Sequence, residues 1–379
     1  MRDAVIVEAV RTPTGKRNGG LSGVHPADLS AHVLRALVER AGIDPVLVDD
    51  VVWGCVSQVG EQTFDIARTA VLSAGWPESV PGTTVDRQCG SSQQALHFAA
   101  AGVVAGHYDI AVAGGVESMS RVPMGSAMLA DPLGEDYRAR YGEEFPNQGI
   151  GAEQIADQWG LSRQQLDEFA LASHEKAAAA ADGGAFSAQI APVTAPEGVV
   201  SADEGIRRGG TLEKLGSLKS AFAEDGKITA ANASQISDGS AALLVMTSEK
   251  ARELGLRPLV RVHTAVVVGS PPMPMLTGPI PATHKALQRS GLRIDEIGAF
   301  EVNEAFASVP LAWLADLGAD EKALNPLGGA IALGHPLGGS GARLMTTLVH
   351  HMRDQGIRYG LQTMCEGGGQ ANATILELL

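Results

Sequence analysis

One pattern occurs twice in the chain and restricts its fold more than any other feature. A loop leads into a helix, the helix into a short β-rich run, and that run into consecutive glycines. In the first half the loop contains Cys89 and the glycines are Gly114 and Gly115. In the second half the loop contains His335 and the glycines lie at 367–369. This repeat predicts two related halves, each with the alternating strands and helices typical of an α/β fold with covered sheet faces.

The composition of the 379 residues argues against several classes of protein. Hydrophobic residues make up 45% of the chain and charged residues 19%, so much of the chain is expected to be buried rather than disordered. The 29 basic and 43 acidic side chains give a net charge of −14, which argues against nucleic-acid binding. Three scattered cysteines without a C-x-x-C pair indicate neither a disulfide framework nor a zinc cluster. An enzyme or a small-molecule-binding protein is the class that is left.

Residues 88–108 lack Asp, Glu, Lys and Arg and are numerous enough to raise the question of a membrane span. Polar side chains interrupt this run and no second such segment occurs, so we interpret it as a buried helix. The apolar stretch at the N-terminus is too short for a signal peptide and contains Glu8. We therefore expect a soluble, cytoplasmic protein.

Strands and helices are predicted to alternate over most of the chain. The predicted strands are 4–8, 50–56, 80–86, 109–113, 241–246, 259–268, 299–302 and 359–364. The predicted helices are 29–41, 67–74, 89–106, 163–181, 283–290, 305–317 and 341–352. Residues 118–236 differ in character and are predicted to form an insertion. The expected organisation is an N-terminal half (1–117), an inserted domain (118–236), a return to the N-terminal half (237–256) and a C-terminal half (257–379).

Cys89 lies where a β-rich run turns into a helix, so its sulfur is expected near the helix N-terminus. The N–H groups and the macrodipole there favour an anion, which lowers the thiol pKa and makes a nucleophile available. Gly90, Ser91 and Ser92 are small and leave room for an acyl group. The alternative, an inert buried cysteine, has about equal weight on placement alone.

Three further segments contain residues suited to such chemistry. His335 lies in a stiff glycine-rich loop and can act as a general base, although a surface histidine is the simpler interpretation. Cys365 can move a proton, and the backbone N–H groups around Gly367 can face an oxyanion; a glycine turn after a core cysteine is the alternative. Asn303 follows a strand, where an asparagine caps a helix more often than it takes part in catalysis.

Together these segments resemble the thiolase family of acyl-CoA C-acyltransferases. RQCGSS, NEAFA, GHPLGGSGAR and CEGGG occur in this order, and RTPTGKR, AGGVESMSRVP, ANASQISDG and GPIPAT extend the resemblance over essentially the whole chain. The resemblance implies the thiolase fold, with two related α/β halves of five-layered α-β-α-β-α architecture and a loop domain inserted in the first half. It also implies that coenzyme A is a substrate, that no metal or redox cofactor is required, and that the protein is a homodimer or homotetramer.

The resemblance also implies a role for each catalytic residue. Cys89 would accept the acyl group, and His335 would deprotonate it and, with a water held by Asn303, bind the thioester oxygen. Cys365 would donate or remove the proton at the acetyl Cα. The N–H groups of Cys89 and Gly367 would form the second oxyanion hole. The covalent intermediate implies ping-pong kinetics.

Coenzyme A is expected to lie along the inserted domain. The residues expected to contact it are Gln148, Lys219, Ala230, Ala231 and Ser234. Residues 231–234 match the stretch that touches the pantetheine arm in the family, with Ser234 as the hydrogen-bonding position. Lys219 lies where the family often carries an arginine near the adenine nucleotide. Three other cations of the insertion could add positive charge or belong to a solvated loop of mixed charge: Arg207, Arg208 and Lys214.

Three departures from the biosynthetic members of the family favour its degradative branch. Asn147 and Gln148 replace a His-Met pair, Glu366 replaces an apolar residue, and QCGSSQQ replaces the CGSG form. We therefore predict a 3-ketoacyl-CoA thiolase of fatty-acid or steroid degradation. The alternatives are an acetoacetyl-CoA-forming thiolase, a ketoacyl synthase relative, which the second cysteine disfavours, and a non-catalytic acyl-CoA or sterol carrier. A carrier would be expected to lack Cys89 or His335.

Overall fold

The computed structural model describes residues 2–379, in which strands alternate with helices through both halves of the chain. The first half contains β1 (Val5–Arg11), β2 (Gly15–Lys16), α1 (Pro26–Ala41), β3 (Asp50–Gly54), α2 (Ile66–Ser73), β4 (Gly82–Val85), α3 (Ser91–Ala105) and β5 (Ile110–Ser118). The insertion that follows contains α4 (Glu135–Tyr141), α5 (Gln148–Gln158), α6 (Arg163–Asp182), the hairpin β6 (Val193–Ala195) and β7 (Gly198–Val200), and α7 (Leu212–Gly216).

The remaining residues return to the first half and then form the second. The return consists of β8 (Ser237–Met246) and α8 (Ser248–Glu253). The second half contains β9 (Val260–Gly269), α9 (Pro279–Ser290), β10 (Ala299–Val302), α10 (Ser308–Leu317), α11 (Ala330–Leu333), α12 (Leu337–Gln355), β11 (Tyr359–Glu366) and β12 (Gln370–Leu378).

The strands of each half form a mixed sheet. The order is β1-β8-β5-β3-β4 in the first half and β10-β11-β12-β9 in the second. Strand β8 is antiparallel to both β1 and β5, and Asp238 pairs with Ser118, so the chain leaves and re-enters the sheet at neighbouring points around the insertion. Strands β1 and β9 meet over two residue pairs and join the two sheets.

The helices form three layers around the two sheets. Helices α1 and α2 cover the outer face of the first sheet, where Leu34 belongs to the core. Helices α3 and α12 lie between the sheets, and Leu96 and Met345 share one apolar cluster there with strands of both halves. Helices α9 and α10 cover the second sheet, where Trp313 is fully buried. The predicted α-β-α-β-α layering is confirmed, and its five layers extend through both halves together.

The apolar run at 88–108 forms the central helix α3, which confirms its interpretation as a buried helix. Polar residues of α3 are buried as well, because they bond across the central layer: Gln93 Nε2 donates to Thr374 Oγ1 at 2.8 Å, and His97 Nε2 lies 2.7 Å from the same oxygen. Among residues 2–379, no helix combines the length and the apolar character that crossing a membrane requires.

Strand β12 and helix α12 are two of the elements that differ from the sequence-based predictions. Strand β12 was not predicted, because QANATILEL begins with residues that strands disfavour. Pairing with both β9 and β11 overrides that local preference. Helix α12 begins at Leu337, four residues before the predicted start. Its first turns contain Gly338, Gly339 and Gly341 because backbone from the sheet and from α3 lies too close for larger residues.

We predict that Gly338→Ala destabilises the fold. A Cβ at this position would lie 2.6 Å from both Cys55 Cα and Val116 O, and backbone cannot move away as a flexible side chain can. Overpacking of this kind costs about 1–3 kcal/mol or more in the free energy of unfolding, which urea denaturation measures. Gly216→Ala is the matched control, since no atom lies within 4 Å of its added methyl group. Equal unfolding free energies for the two variants would contradict the close approach.

Candidate active site

Cys89 lies in a tight turn directly before α3. Gly90 is the N-cap residue of the helix, and Gln88 adopts a left-handed conformation with φ 48°. Ser91 closes the turn, because its hydroxyl accepts from Arg87 N at 2.9 Å and donates to Gln88 O at 2.6 Å. The Cys89 side chain is only 4% exposed and packs in a small apolar cluster with Met119 and Leu337. The predicted position near a helix N-terminus is confirmed.

The predicted lowering of the thiol pKa is wrong for the resting protein. Burial, followed by repulsion of a thiolate by the Glu366 carboxylate and then by Glu117, raises the pKa of Cys89 to about 12. Sequence reasoning counted the helix N-terminus but could not see these carboxylates or the loss of water. Cys89 is therefore a neutral thiol at rest and needs a base to become a nucleophile.

His335 is a neutral imidazole with a defined tautomer. Burial, with the Arg343 guanidinium, lowers the pKa of His335 to about 3. The Ser340 hydroxyl lies 2.6 Å from His335 Nδ1 and donates to Pro336 O at 2.8 Å. Because the Ser340 hydroxyl donates its only proton to the Pro336 carbonyl, it must accept a hydrogen bond from His335 Nδ1–H. His335 is therefore protonated at Nδ1, and its Nε2 atom carries the free electron pair. The surface-histidine alternative is excluded, since His335 is 3% exposed.

Asn303 lies beside this histidine. Its Nδ2 atom is 3.4 Å from His335 Nε2, and its backbone N–H donates to Thr363 O at 3.1 Å, beside the strand that leads to Cys365. Among residues 2–379, nothing donates to the buried Asn303 Oδ1. The helix-cap alternative is wrong, because α10 begins five residues later with Ala307 as its N-cap residue. An unpartnered amide oxygen beside an imidazole is suited to holding a water.

Cys365 and Gly367 lie at the end of β11, close to the turn that holds Cys89. Cys365 is fully buried near the end of β11, and burial followed by proximity to Cys89 raises its pKa. Gly367 packs against the residue that precedes Cys89, since a Cβ on it would lie 2.8 Å from Gln88 Oε1. Gly368 and Gly369 have positive φ, which lets the chain reverse tightly between β11 and β12. The structure thus places the two thiols near one another and the histidine beside the amide.

Sequence reasoning missed Ser340 and Glu117, which hold this arrangement. The buried Glu117 carboxylate accepts from Val56 N at 3.0 Å and Ser57 N at 3.1 Å in the first half. It also accepts from Gly338 N of α12 at 2.9 Å. A single acidic residue in the otherwise apolar strand β5, and a single hydroxyl in the glycine-rich loop after His335, were the available signals.

The segment at 230–234 adjoins the site. Ser234 N donates to Ala305 O at 2.9 Å, and Ala307 N donates to Asn232 O at 2.8 Å, so the segment pairs with the chain that follows Asn303. Ser234 is partly exposed and Ala230 is exposed, whereas Ala231 is 7% exposed.

Gln148 and Lys219 approach this segment from two sides. Gln148 begins α5, and a Cβ on the following Gly149 would lie 2.1 Å from the Phe222 ring. That ring packs edge-on against Phe306 at a centroid distance of 5.8 Å. Lys219 is exposed and lines, with residues 220–226, an open pocket of about 710 Å³. All five residues expected to contact coenzyme A therefore lie in adjoining segments.

Two of the other cations lie elsewhere in the insertion. Arg208 forms an ion pair with Asp182 at 2.7 Å, and with Arg207 it lines a separate pocket beside His174. The solvated-loop interpretation thus fits these two arginines better than a shared anion site. Within residues 2–379, no three His, Cys, Asp or Glu side chains are arranged to hold a metal ion.

The chain matches two family models that together cover nearly all of it. The model described as "Thiolase, N-terminal domain" matches residues 4–249, and "Thiolase, C-terminal domain" matches residues 256–378. A steroid 3-ketoacyl-CoA thiolase of Mycobacterium tuberculosis is 49% identical over 100% of this chain and 95% of its own length. A 3-ketoacyl-CoA thiolase of Erwinia tasmaniensis is 46% identical, with all of both chains covered.

A solved structure agrees with these sequence matches. The acetyl-CoA acetyltransferase of Bacillus anthracis superposes with a TM-score of 0.91 at 37% identity, covering 100% of this chain and 99% of its own. The fold and the relatives are those of an acyltransferase. The chain belongs to the thiolase family.

Replacing Ser340 with alanine is expected to lower kcat by about 10- to 100-fold. The change leaves the buried His335 Nδ1–H without an acceptor, at a cost of about 1–3 kcal/mol, and frees the ring to adopt the other tautomer. Rapid-quench measurement of acyl-enzyme formation would locate the loss in acylation.

Thr346→Val is the matched control for Ser340→Ala. Thr346 also donates to the carbonyl four residues earlier in α12, at 2.8 Å, but lies away from His335. Its loss should change stability and leave the acylation rate unchanged. A similar loss of rate in both variants would mean that Ser340 acts only through the helix.

Proposed function

We propose that the protein is a degradative 3-ketoacyl-CoA thiolase. It would cleave a 3-ketoacyl-CoA with coenzyme A into acetyl-CoA and an acyl-CoA that is two carbons shorter. The observation that carries the proposal is the proximity of two buried thiols, Cys89 and Cys365, in a chain that also holds a buried, neutral His335 of defined tautomer. Relatives at 49% and 46% identity carry the names steroid 3-ketoacyl-CoA thiolase and 3-ketoacyl-CoA thiolase, which supports the same reaction.

The first half-reaction forms a bond between Cys89 Sγ and the 3-keto carbon. His335 Nε2 takes the thiol proton, so a thiolate and an imidazolium form together and stabilise one another in the dry site. The C2–C3 bond then breaks, its electron pair goes to C2, and Cys365 supplies the proton that completes acetyl-CoA. The N–H groups of Cys89 and Gly367 would face one oxyanion, and His335 with a water on Asn303 the other.

The second half-reaction returns Cys89 to its resting state. The sulfur of coenzyme A attacks the acyl-cysteine carbon, and Cys365, which gave up its proton in the first half-reaction, takes the proton of the coenzyme A thiol. The Cys89–acyl bond breaks as the shortened acyl-CoA forms, and His335 returns its proton to the Cys89 sulfur. We propose coenzyme A as a substrate of this step, with no metal or redox cofactor.

We propose that coenzyme A lies along the inserted domain, residues 118–236. Its pantetheine arm would pass Ser234 and Ala231, with Gln148 opposite, and Lys219 would face the phosphates near the adenine nucleotide. The adjoining segments described above and the open pocket beside Lys219 support this path. We also propose that the protein is a cytoplasmic homodimer or homotetramer; light scattering of the purified protein tests the oligomeric state.

Cys89→Ala tests the proposed nucleophile. Without the sulfur no thioester can form, so mass spectrometry should detect no acyl-enzyme after incubation with a 3-ketoacyl-CoA, and thiolysis should fall at least about 1,000-fold. Binding of coenzyme A should persist. Cys365→Ser is the matched comparison, since it should still acylate but turn over slowly. Full thiolysis by Cys89→Ala would reject the proposed function.

The acyl group is tested by following CoA-dependent loss of the 3-ketoacyl-CoA enolate absorbance with a short, a long and a steroid-derived substrate. We expect kcat/KM to rise with acyl size. The second candidate is an acetoacetyl-CoA-forming enzyme, favoured by the close superposition on an acetyl-CoA acetyltransferase. Activity confined to acetoacetyl-CoA would select that candidate.

A further inference from the structure

Glu366 is a buried acidic residue that the proposed chemistry does not use. It ends β11 directly after Cys365, and its side chain is fully buried. Neither carboxylate oxygen has a hydrogen-bond partner among residues 2–379. Burying a carboxylate without hydrogen-bond donors costs free energy of folding. Its position next to the proposed nucleophile therefore suggests a functional role.

The Glu366 carboxyl occupies the space that a side chain at position 90 would need. A Cβ on Gly90 would lie 1.9 Å from Glu366 Oε1 and 2.7 Å from Asn372 Nδ2. Asn372, on the neighbouring strand β12, donates to Gly90 O at 3.1 Å. The carboxyl therefore packs directly against the residue that follows Cys89, at the N-cap of α3.

The neighbours of this carboxyl favour its neutral form. Asn372 Oδ1 is also a buried acceptor without a donor among the described residues, and only a protonated carboxyl carries a proton of its own to donate. Burial, opposed by attraction to Arg87 and assisted by repulsion from Asp86, raises the pKa of Glu366 to about 8. The acid is thus uncharged through the neutral range and ionises above it.

We propose that Glu366 tunes the nucleophile: as a neutral acid against Gly90 it lets the Cys89 thiolate form, and as an anion it suppresses that thiolate. The inference rests on the proposed role of Cys89. Of the charged groups near Cys89, the Glu366 carboxylate raises its pKa most, ahead of Glu117 and Asp86, and it also raises the pKa of Cys365. Two negative charges in one dry site oppose each other, so ionisation of either group makes ionisation of the other harder.

The sign of the pH dependence follows from this coupling. Below pH 8 Glu366 is neutral and does not oppose the thiolate, so Cys89 reactivity rises with pH as for any thiol far below its pKa. Above pH 8 Glu366 becomes a carboxylate, and the reactivity of Cys89 then rises less steeply with pH. Glu117 on β5 and Asp86 before Cys89 also have raised pKa values, so the test must isolate Glu366 from them.

The test is the rate of alkylation by iodoacetamide between pH 6 and 10, read at Cys89 and Cys365 separately by peptide mass spectrometry. Glu366→Gln keeps the shape of the side chain and cannot ionise. We expect wild type and Glu366→Gln to alkylate Cys89 at the same rate, within about twofold, at pH 6.5. At pH 9.5 the variant should be at least about fivefold faster, because only the wild type carries the extra charge.

Arg87→Gln provides a second, independent variant. Arg87 attracts the ionised Glu366, so its loss should raise the pH at which the rise in the Cys89 alkylation rate flattens. Thermal unfolding midpoints establish that both variants are folded. Three outcomes would overturn the proposal. The ratio of the Cys89 alkylation rates of wild type and Glu366→Gln could be independent of pH, or Glu366→Gln could be alkylated more slowly at pH 6.5. The pH at which the alkylation rate flattens could also be lower in Arg87→Gln than in wild type. Labelling that bypasses Cys89 altogether would instead reject Cys89 as the nucleophile.

Discussion

The active-site geometry depends on a junction at which backbone from both halves of the molecule meets without intervening side chains. Glu117 accepts hydrogen bonds from Val56 and Ser57 of the first half and from Gly338 of the second. The glycines that flank this junction, such as Gly54 and Gly338, lie so close to the backbone of other segments that an added Cβ would clash with it. Val56 packs against the Cys89 cluster and Gly338 lies three residues after His335, so one buried carboxylate links the surroundings of both residues.

The central layer explains why two related halves make one catalytic centre instead of two. Helices α3 and α12 pack together between the sheets, and each begins two residues after a residue that we propose to be catalytic, Cys89 for α3 and His335 for α12. Their N-termini therefore meet at the same edge of the layer. The strands of the second half then place Asn303 and Cys365 at that edge, since β10 and β11 are parallel neighbours that end there.

Burial determines the resting charge of this site. Loss of water keeps both thiols and the imidazole uncharged, and it also protonates Glu366 through the neutral range. Under the proposed mechanism, charge separation between Cys89 and His335 accompanies the formation of an oxyanion that the surrounding N–H groups can stabilise. A site of this kind protects a reactive cysteine in the absence of substrate, because the thiol, and not the thiolate, is the stable form.

The amino-acid sequence by itself determined the alternation of strands and helices, the buried central helix and the segment between β5 and β8, and its resemblance to a family supplied the residues that we propose react with the substrate. These follow from local signals: apolar periodicity, glycine turns and short motifs. Only the tertiary structure decided the ionisation of those residues, the tautomer that Ser340 imposes on His335, the role of Glu117 and the position of Glu366 against Gly90. The pairing of β12, whose first residues disfavour a strand, was also decided there. The physical reason is common to all of these features, because desolvation, Coulomb interaction and strand pairing depend on groups that are distant in the chain and adjacent only after folding.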